Sequence, residues 1–138
     1  MIVLDTNVVS ALMMRVPDAV VVAWLNRQPG TSVWTTSITV FEVRFGLEIL
    51  PKGKRRATLL NDFEKFLEGI HQRIAPFDAD AAQEASALMA ARKIQARPRE
   101  FRDTMIAGIV LARHATLATR NSRDFSDISA RCVDPWSD

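Results

Sequence analysis

The chain has 138 residues, 48% of them hydrophobic and 25% charged, with a formal net charge of +2. That is the composition of a globular domain able to close its own core, and the slight basic excess permits a polyanionic partner without arguing for one. A single cysteine, Cys132, excludes an intrachain disulfide. No apolar run is long enough for a membrane span, and no basic segment followed by an apolar one marks a secretory leader. One domain over residues 1–138, in a reducing and cytoplasmic setting without membrane contact, is the expectation.

Ile2-Val3-Leu4 is short, apolar and unalternating, which predicts a strand buried on both faces. It runs without a turn residue into Asp5. A short helix is expected over Asn7–Arg15, capped by Thr6 or Asn7, and a second from Pro17 to about Arg27. Val20, Val21, Trp24 and Leu25 give the second helix an apolar face, and Gln28-Pro29-Gly30 ends it. Val33–Thr36 reads as a second strand. Ser37 or Thr39 is expected to cap the helix of "TVFEVRFGLEIL", which Pro51-Lys52-Gly53 interrupts. From Arg55 to Ile70, Leu59, Leu60, Phe63, Phe66, Leu67 and Ile70 recur at helical spacing. "RIAPF" is a short strand. Asp78 or Asp80 starts a helix that reaches Gln95 and stops before Pro98. After the loop "ARPRE" a further helix runs from Phe101 to His114, followed by a strand in "ATLATRN" and a last strand or extended tail in "ARCVDPW". Strands alternating with helices predict an α/β fold, a central and mainly parallel sheet flanked by α-helices. Trp24, Leu25, Phe63 and Phe66 exceed what one thin sheet requires, which suggests a homodimer.

In open parallel sheets, ligands bind beyond the carboxyl ends of the strands. Asp5 lies at such an end, although it would also serve as a plain helix cap. Glu42 sits among Val40, Phe41, Val43 and Phe45 in a segment expected to be largely buried, where a carboxylate needs a partner, either a cation or an arginine such as Arg44. Asp103 opens the helix before the fourth strand, where the helix N-terminus alone would favour it. Asn121 and Asp124 follow that strand, in positions that suit a turn equally well. Carboxylates crowded at one sheet edge repel and call for a cation. The two histidines, His71 and His114, are remote in sequence from these segments, so an oxygen-only site favours Mg2+, with Mn2+ as a substitute, over zinc. Mg2+ takes phosphate oxygens readily, which makes a phosphodiester the natural substrate. Two basic clusters, Lys52 with Lys54, Arg55 and Arg56, and Arg92 with Lys93, Arg97, Arg99 and Arg102, suit a nucleic-acid backbone or a solvated helix end. The second leads directly into Asp103, and Arg97, Arg99 and Arg102 are the candidates for RNA binding.

"IVLDTNVVS", "TSITVFEVRFG", "FRDTMIAGIVLARHATLATRNSRDF" and the terminal "DPW", in this order and spacing, resemble the PIN-domain nucleases, and among them the VapC/FitB-type toxins of bacterial toxin–antitoxin pairs. The resemblance implies a PIN-like fold and a Mg2+-dependent endoribonuclease. Asp5, Glu42 and Asp103 match the family's acids as metal ligands. Thr6 and Asn7 match the polar pair beside the first acid, and Thr119 the hydroxyl residue before the last acidic position. There the chain departs from the fuller pattern, with Asn121 where many relatives carry Asp; Asp124 is the substitute. Implied products are a 5′-phosphate and a 3′-hydroxyl, from structured RNA such as a tRNA. The implied partner is a small VapB/FitA-like antitoxin whose N-terminal part binds operator DNA and whose tail lies in a groove lined by Val8, Val9, Leu12, Met13 and Met14 with Phe45, Leu47 and Leu50. The rival reading is a weakly active or inactive PIN scaffold acting as an antitoxin-binding co-repressor, which Asn121 favours. A haloacid-dehalogenase-type phosphatase needs a second Asp where Asn7 stands. A receiver-like domain lacks support from the strand ending at Thr119-Arg120.

Overall fold

The computed structural model describes residues 1–97 and 99–138; the expected stop at Pro98 lies outside them. Five strands, β1 (Ile2–Leu4), β2 (Val33–Thr36), β3 (Ile74–Ala75), β4 (Thr116–Ala118) and β5 (Cys132–Val133), form a parallel sheet in the order β3-β2-β1-β4-β5. The helices are α1 (Thr6–Leu12), α2 (Ala19–Asn26), α3 (Ser37–Glu48), α4 (Lys54–Gly69), α5 (Ala79–Ile94) and α6 (Phe101–Ala112).

Successive residues of each strand point to opposite faces, so the sheet closes two cores. Leu4, Val33 and Ala118 face α1, α2 and α4, among Val8, Val9, Val21, Trp24 and Phe63. Val3, Ala75 and Leu117 face α5 and α6, among Ala81, Ile106, Ile109 and Val110. The apolar run of β1 is therefore explained: both of its faces are covered. Helix α3 supplies Ile38 to one cluster and Val40 and Val43 to the other. Trp24, Leu25, Phe63 and Phe66 all pack into the first cluster, so they are core and give no reason for a dimer. Among the exposed apolar residues are Phe41 and Phe45 on α3 and Ile49 at its C-cap, at 60%, 49% and 68% exposure. Among the described residues, no helix is long and apolar enough to cross a membrane.

Several boundaries move, each for a local reason. Asp5 itself caps α1, its carboxylate accepting the Thr6 N–H at 2.8 Å, and α1 ends at Leu12, short of Val16, which precedes Pro17 and is biased away from helix. Pro17 stays outside α2 because Asp18 is the stronger cap and accepts from Val20 N and Val21 N. Thr36 caps α3 and Glu100 caps α6. Trp136 of the "DPW" ending donates its indole N–H to Asp18 at 3.0 Å, with Arg120 over its ring at 4.7 Å. That contact ties the end of the chain to the start of α2.

Candidate active site

The strand order reverses at β1, with β2 on one side and β4 on the other. The crevice beyond its carboxyl end is where an open parallel sheet takes a ligand. Leu4 pairs with Ala118, so the next residues, Asp5 and Thr119, lie side by side. Both are buried. Thr119 Oγ1 donates to Asp5 Oδ2 at 2.8 Å, and Asn7 Nδ2 donates to the same oxygen at 3.3 Å. Asn7 is held in turn by Thr119 and by the Arg120 N–H, and the Asn121 N–H donates to Thr119 Oγ1 at 3.1 Å. The conformation of the loop after β4 is thus wired to Asp5.

Glu42 projects toward the same edge from α3. Thr6 Oγ1 donates to Glu42 Oε1 at 2.9 Å and lies 3.1 Å from Thr39 Oγ1, which meets Thr36 Oγ1 at 3.2 Å. Phe41 and Phe45 beside it are exposed and stack on each other with centroids 6.4 Å apart, so the segment is less buried than expected. Glu42's arginine partner is Arg102, with Nη1 3.8 Å from Oε2, and not Arg44. Asp103 lies in the first turn of α6.

These carboxyls feel one another. Burial pushes the Asp103 carboxyl up to about 6, and the charges of Asp5, Glu100, Glu42 and Asp124 add to the effect. Burial also raises Asp5; hydrogen bonds from Thr119 and Thr6 pull it down, and Asp124 pushes it further up. Glu42 is raised by burial against the Thr6 hydrogen bond and the Arg102 charge, with Asp5 and Glu100 adding to the rise. Asp5, Glu42, Asp103 and Asp124 therefore share one electrostatic neighbourhood. The Asn121 side chain makes no capping bond and is exposed; Asp124, in the 3-10 turn Ser122–Phe125, is the group whose charge reaches Asp5 and Asp103.

Sequence reading missed Glu100. Its carboxylate accepts the N–H groups of Arg102 and Asp103 at 2.7 and 3.1 Å and pairs with Arg102 Nε at 3.1 Å. An acidic residue three positions before Asp103, at a helix start, was the available signal. The basic stretch divides. Arg92, 2% exposed, forms a bidentate pair with Asp127 and donates to Thr104 Oγ1. It is a structural residue, not a phosphate contact. Arg97 and Arg99 are exposed between α5 and α6, and Arg102 belongs to the site. The two histidines sit exposed just beyond α4 and α6 in left-handed backbone (φ 55° and 51°).

The donor set fits a hard divalent cation: all oxygen, with excess negative charge. Among the described residues, no three acidic, His or Cys side chains already converge tightly enough to hold an ion. Mg2+ does not demand that, since it binds through one or two carboxylates and keeps several waters.

A cleft of about 940 Å³ opens beside the acids between α1, α3 and α4. Thr6 and Glu42 form its inner end, and Met13, Met14, Leu47 and Leu50 line its walls. Val8 and Val9, expected in such a groove, are core residues, Leu12 packs against the same core, and Phe45 lies outside the cleft.

A family model described as PIN domain matches residues 2–130. The VapC ribonuclease Y4jK of Sinorhizobium fredii is 38% identical, over 99% of this chain and 98% of its own length. Toxin FitB of Neisseria gonorrhoeae is 32% identical over the full length of both. The crystal structure of FitAcB from N. gonorrhoeae superposes with a TM-score of 0.89 over 99% of each chain. DNA-bound VapBC from Salmonella typhimurium superposes with a TM-score of 0.83 at 26% identity over 97% of each. With this sheet order, acids at one carboxyl edge and similarity along the whole chain, the protein belongs to the PIN-domain family, among its VapC/FitB-type toxins.

Proposed function

We propose that the chain is a Mg2+-dependent endoribonuclease toxin that hydrolyses RNA phosphodiester bonds and is neutralised by a small VapB/FitA-like antitoxin. The observation that carries the reading is Asp103, whose carboxyl is pushed up to about 6 by burial and four neighbouring carboxylates. Carboxyls gathered at the switch point of a parallel sheet, with Arg102 as a nearby counter-charge, suit a divalent cation. Bound there, a divalent ion offsets the charge of the phosphodiester and lowers the pKa of a coordinated water.

The residues divide the work. Asp5 and Asp103 would hold the ion directly, and Glu42 would be a further ligand, direct or through water. Thr119 and Asn7 fix the rotamer of Asp5, and Thr6 fixes that of Glu42. Asp124 takes the outer position, for which Asn121 was the other candidate; its charge acting on Asp5 and Asp103 supports this and weighs against an inert co-repressor. Arg97 and Arg99, exposed ahead of the helix that carries Asp103, track the substrate backbone. Single-stranded loops of a structured RNA such as a tRNA offer accessible phosphates.

Related structures include FitAB bound to an IR36 DNA fragment and DNA-bound VapBC. By analogy, the antitoxin here contacts operator DNA and lays its tail in the cleft between α1, α3 and α4, whose methionines adapt to a partner. The cleft ends at Glu42, so an arginine of that tail would reach the carboxylates. The homodimer implied by the family resemblance would form through Phe41, Phe45 and Ile49.

The decisive experiment incubates the purified chain with total RNA and Mg2+. Cleavage is expected to stop with EDTA, with Asp5→Asn, and on adding the protein encoded beside this one. RNA left intact by the wild-type chain in Mg2+ and Mn2+ would refute the ribonuclease reading.

A further inference from the structure

Arg102 stands between two carboxylates that are each fixed by other bonds. Glu42 is held by the Thr6 hydroxyl at 2.9 Å. Glu100 is held by the backbone N–H groups of Arg102 and Asp103 at the start of α6. The guanidinium bridges them, 3.8 Å from Glu42 Oε2 and 3.1 Å from Glu100 Oε1, and Asp103 also feels it.

The bridge differs in kind from the other arginine pair nearby. Arg92 is 2% exposed and locked to Asp127 by two hydrogen bonds. The Arg102 side chain is 40% exposed, so it leaves its partners without breaking a packed core. Solvent also screens its attraction to them, which makes the contact exchangeable. The carboxylates are preorganised, and the cation between them is the part free to move.

We propose that Arg102 is an internal competitor of the divalent ion: it pairs with Glu42 and Glu100 in the metal-free chain and competes with the ion for Glu42. A guanidinium and a divalent cation seek the same carboxylate oxygens and repel each other, so occupancy by one weakens the other. Arg102 thereby sets how much free ion the site needs. The proposal rests on the metal-site reading above but not on the identity of the substrate.

The test compares the wild-type chain with Arg102→Gln and Arg102→Lys, using calorimetric titration with Mn2+ in the absence of RNA. The Gln variant should bind Mn2+ about two- to fivefold more tightly, as expected for losing a weak, screened pair. The Lys variant keeps the charge and should stay near the wild-type affinity. A merely structural Arg102 predicts the opposite, weaker Mn2+ binding in both variants. Unchanged or weaker binding in the Gln variant overturns the proposal, as does a wild-type chain that binds no Mn2+. If the wild-type chain binds Mn2+ but cleaves no RNA, the ribonuclease reading fails and the Gln titration still decides the competition.

Discussion

Asp103→Asn should stabilise the metal-free protein at neutral pH. The Asp103 carboxyl is raised from an ordinary 3.8 to about 6, and among the described residues no hydrogen bond to that carboxylate compensates. The gap corresponds in full to about 3 kcal/mol of unfavourable free energy when the group is ionised. It is only half-buried, and solvent screening reduces the figure to about 1–2 kcal/mol. The sign follows from linkage. The folded state binds this proton more tightly than the unfolded chain, so the advantage is fully present below 3.8 and is lost as pH rises through about 6. Urea denaturation in EDTA at several pH values between 4 and 8 reads the effect. The wild-type chain should lose this increment as pH rises from about 4 to 7, whereas the Asn variant should lack that component and be the more stable of the two at pH 7.5. Parallel profiles for the two proteins, or an Asn variant less stable at pH 7.5, would refute the claim that the carboxylates strain one another.

Three further outcomes follow from local geometry. Thr119→Val removes a buried hydrogen-bond donor to the Asp5 carboxyl; a loss of about 1–3 kcal/mol in unfolding free energy, together with a fall in RNA cleavage, is expected. Gly108→Ala would place a Cβ 2.5 Å from the Ala81 carbonyl oxygen and 2.7 Å from Ala85 Cβ. Overpacking of about 1–3 kcal/mol then outweighs the gain in helix propensity of about 1 kcal/mol, and urea unfolding should show a net loss. Phe45→Glu places a charge in the exposed apolar face of α3; sedimentation of the free chain at micromolar concentration should show a dimer for the wild type and a monomer for the variant.

The parts of this fold legible in sequence are those governed by local pattern. The unalternating Ile2-Val3-Leu4 reads as a strand covered on both faces, and α4 reads from its spacing of Leu59, Phe63, Phe66 and Leu67. The starts of α1 and α3 differ from the sequence expectation because strand and helix meet there with no loop between them. Asp5 directly follows β1 and caps α1, and Thr36 is at once the last residue of β2 and the cap of α3, so a cap sought inside the following segment lies a residue or more too late. Long-range pairs were invisible. Nothing near Arg92 predicts its bond to Asp127, 35 residues on, and nothing near Glu42 predicts Arg102. Likewise, whether Trp24 and Phe63 share a core depends on which helices cover which face.

Asp5 reads in sequence as either a cap or a site residue; the structure shows the cap and sets the same carboxyl at the sheet edge where the proposed site lies. In a parallel sheet every strand-to-helix junction falls at the same edge, so the residues that satisfy helix N-termini and the residues that meet a ligand are drawn from one small set of positions. Asp5 spends part of its hydrogen-bonding capacity on Thr6 N, Thr119 and Asn7, and Glu100 spends its own on the start of α6. Those bonds fix the carboxylates in place at some cost to their freedom to rearrange. Asp103 is fixed differently: its position comes from α6, held against α5 by the close approach of Gly108 to Ala81 and Ala85, while among the described residues no donor meets its carboxylate. An acid positioned by helix packing and surrounded by other acids has no neutral way to be satisfied in the folded chain. A proton can neutralise it below about pH 6, and a cation can do so above. On the proposed metal-site reading, ion loading and the stability of this edge of the sheet are therefore linked at neutral pH.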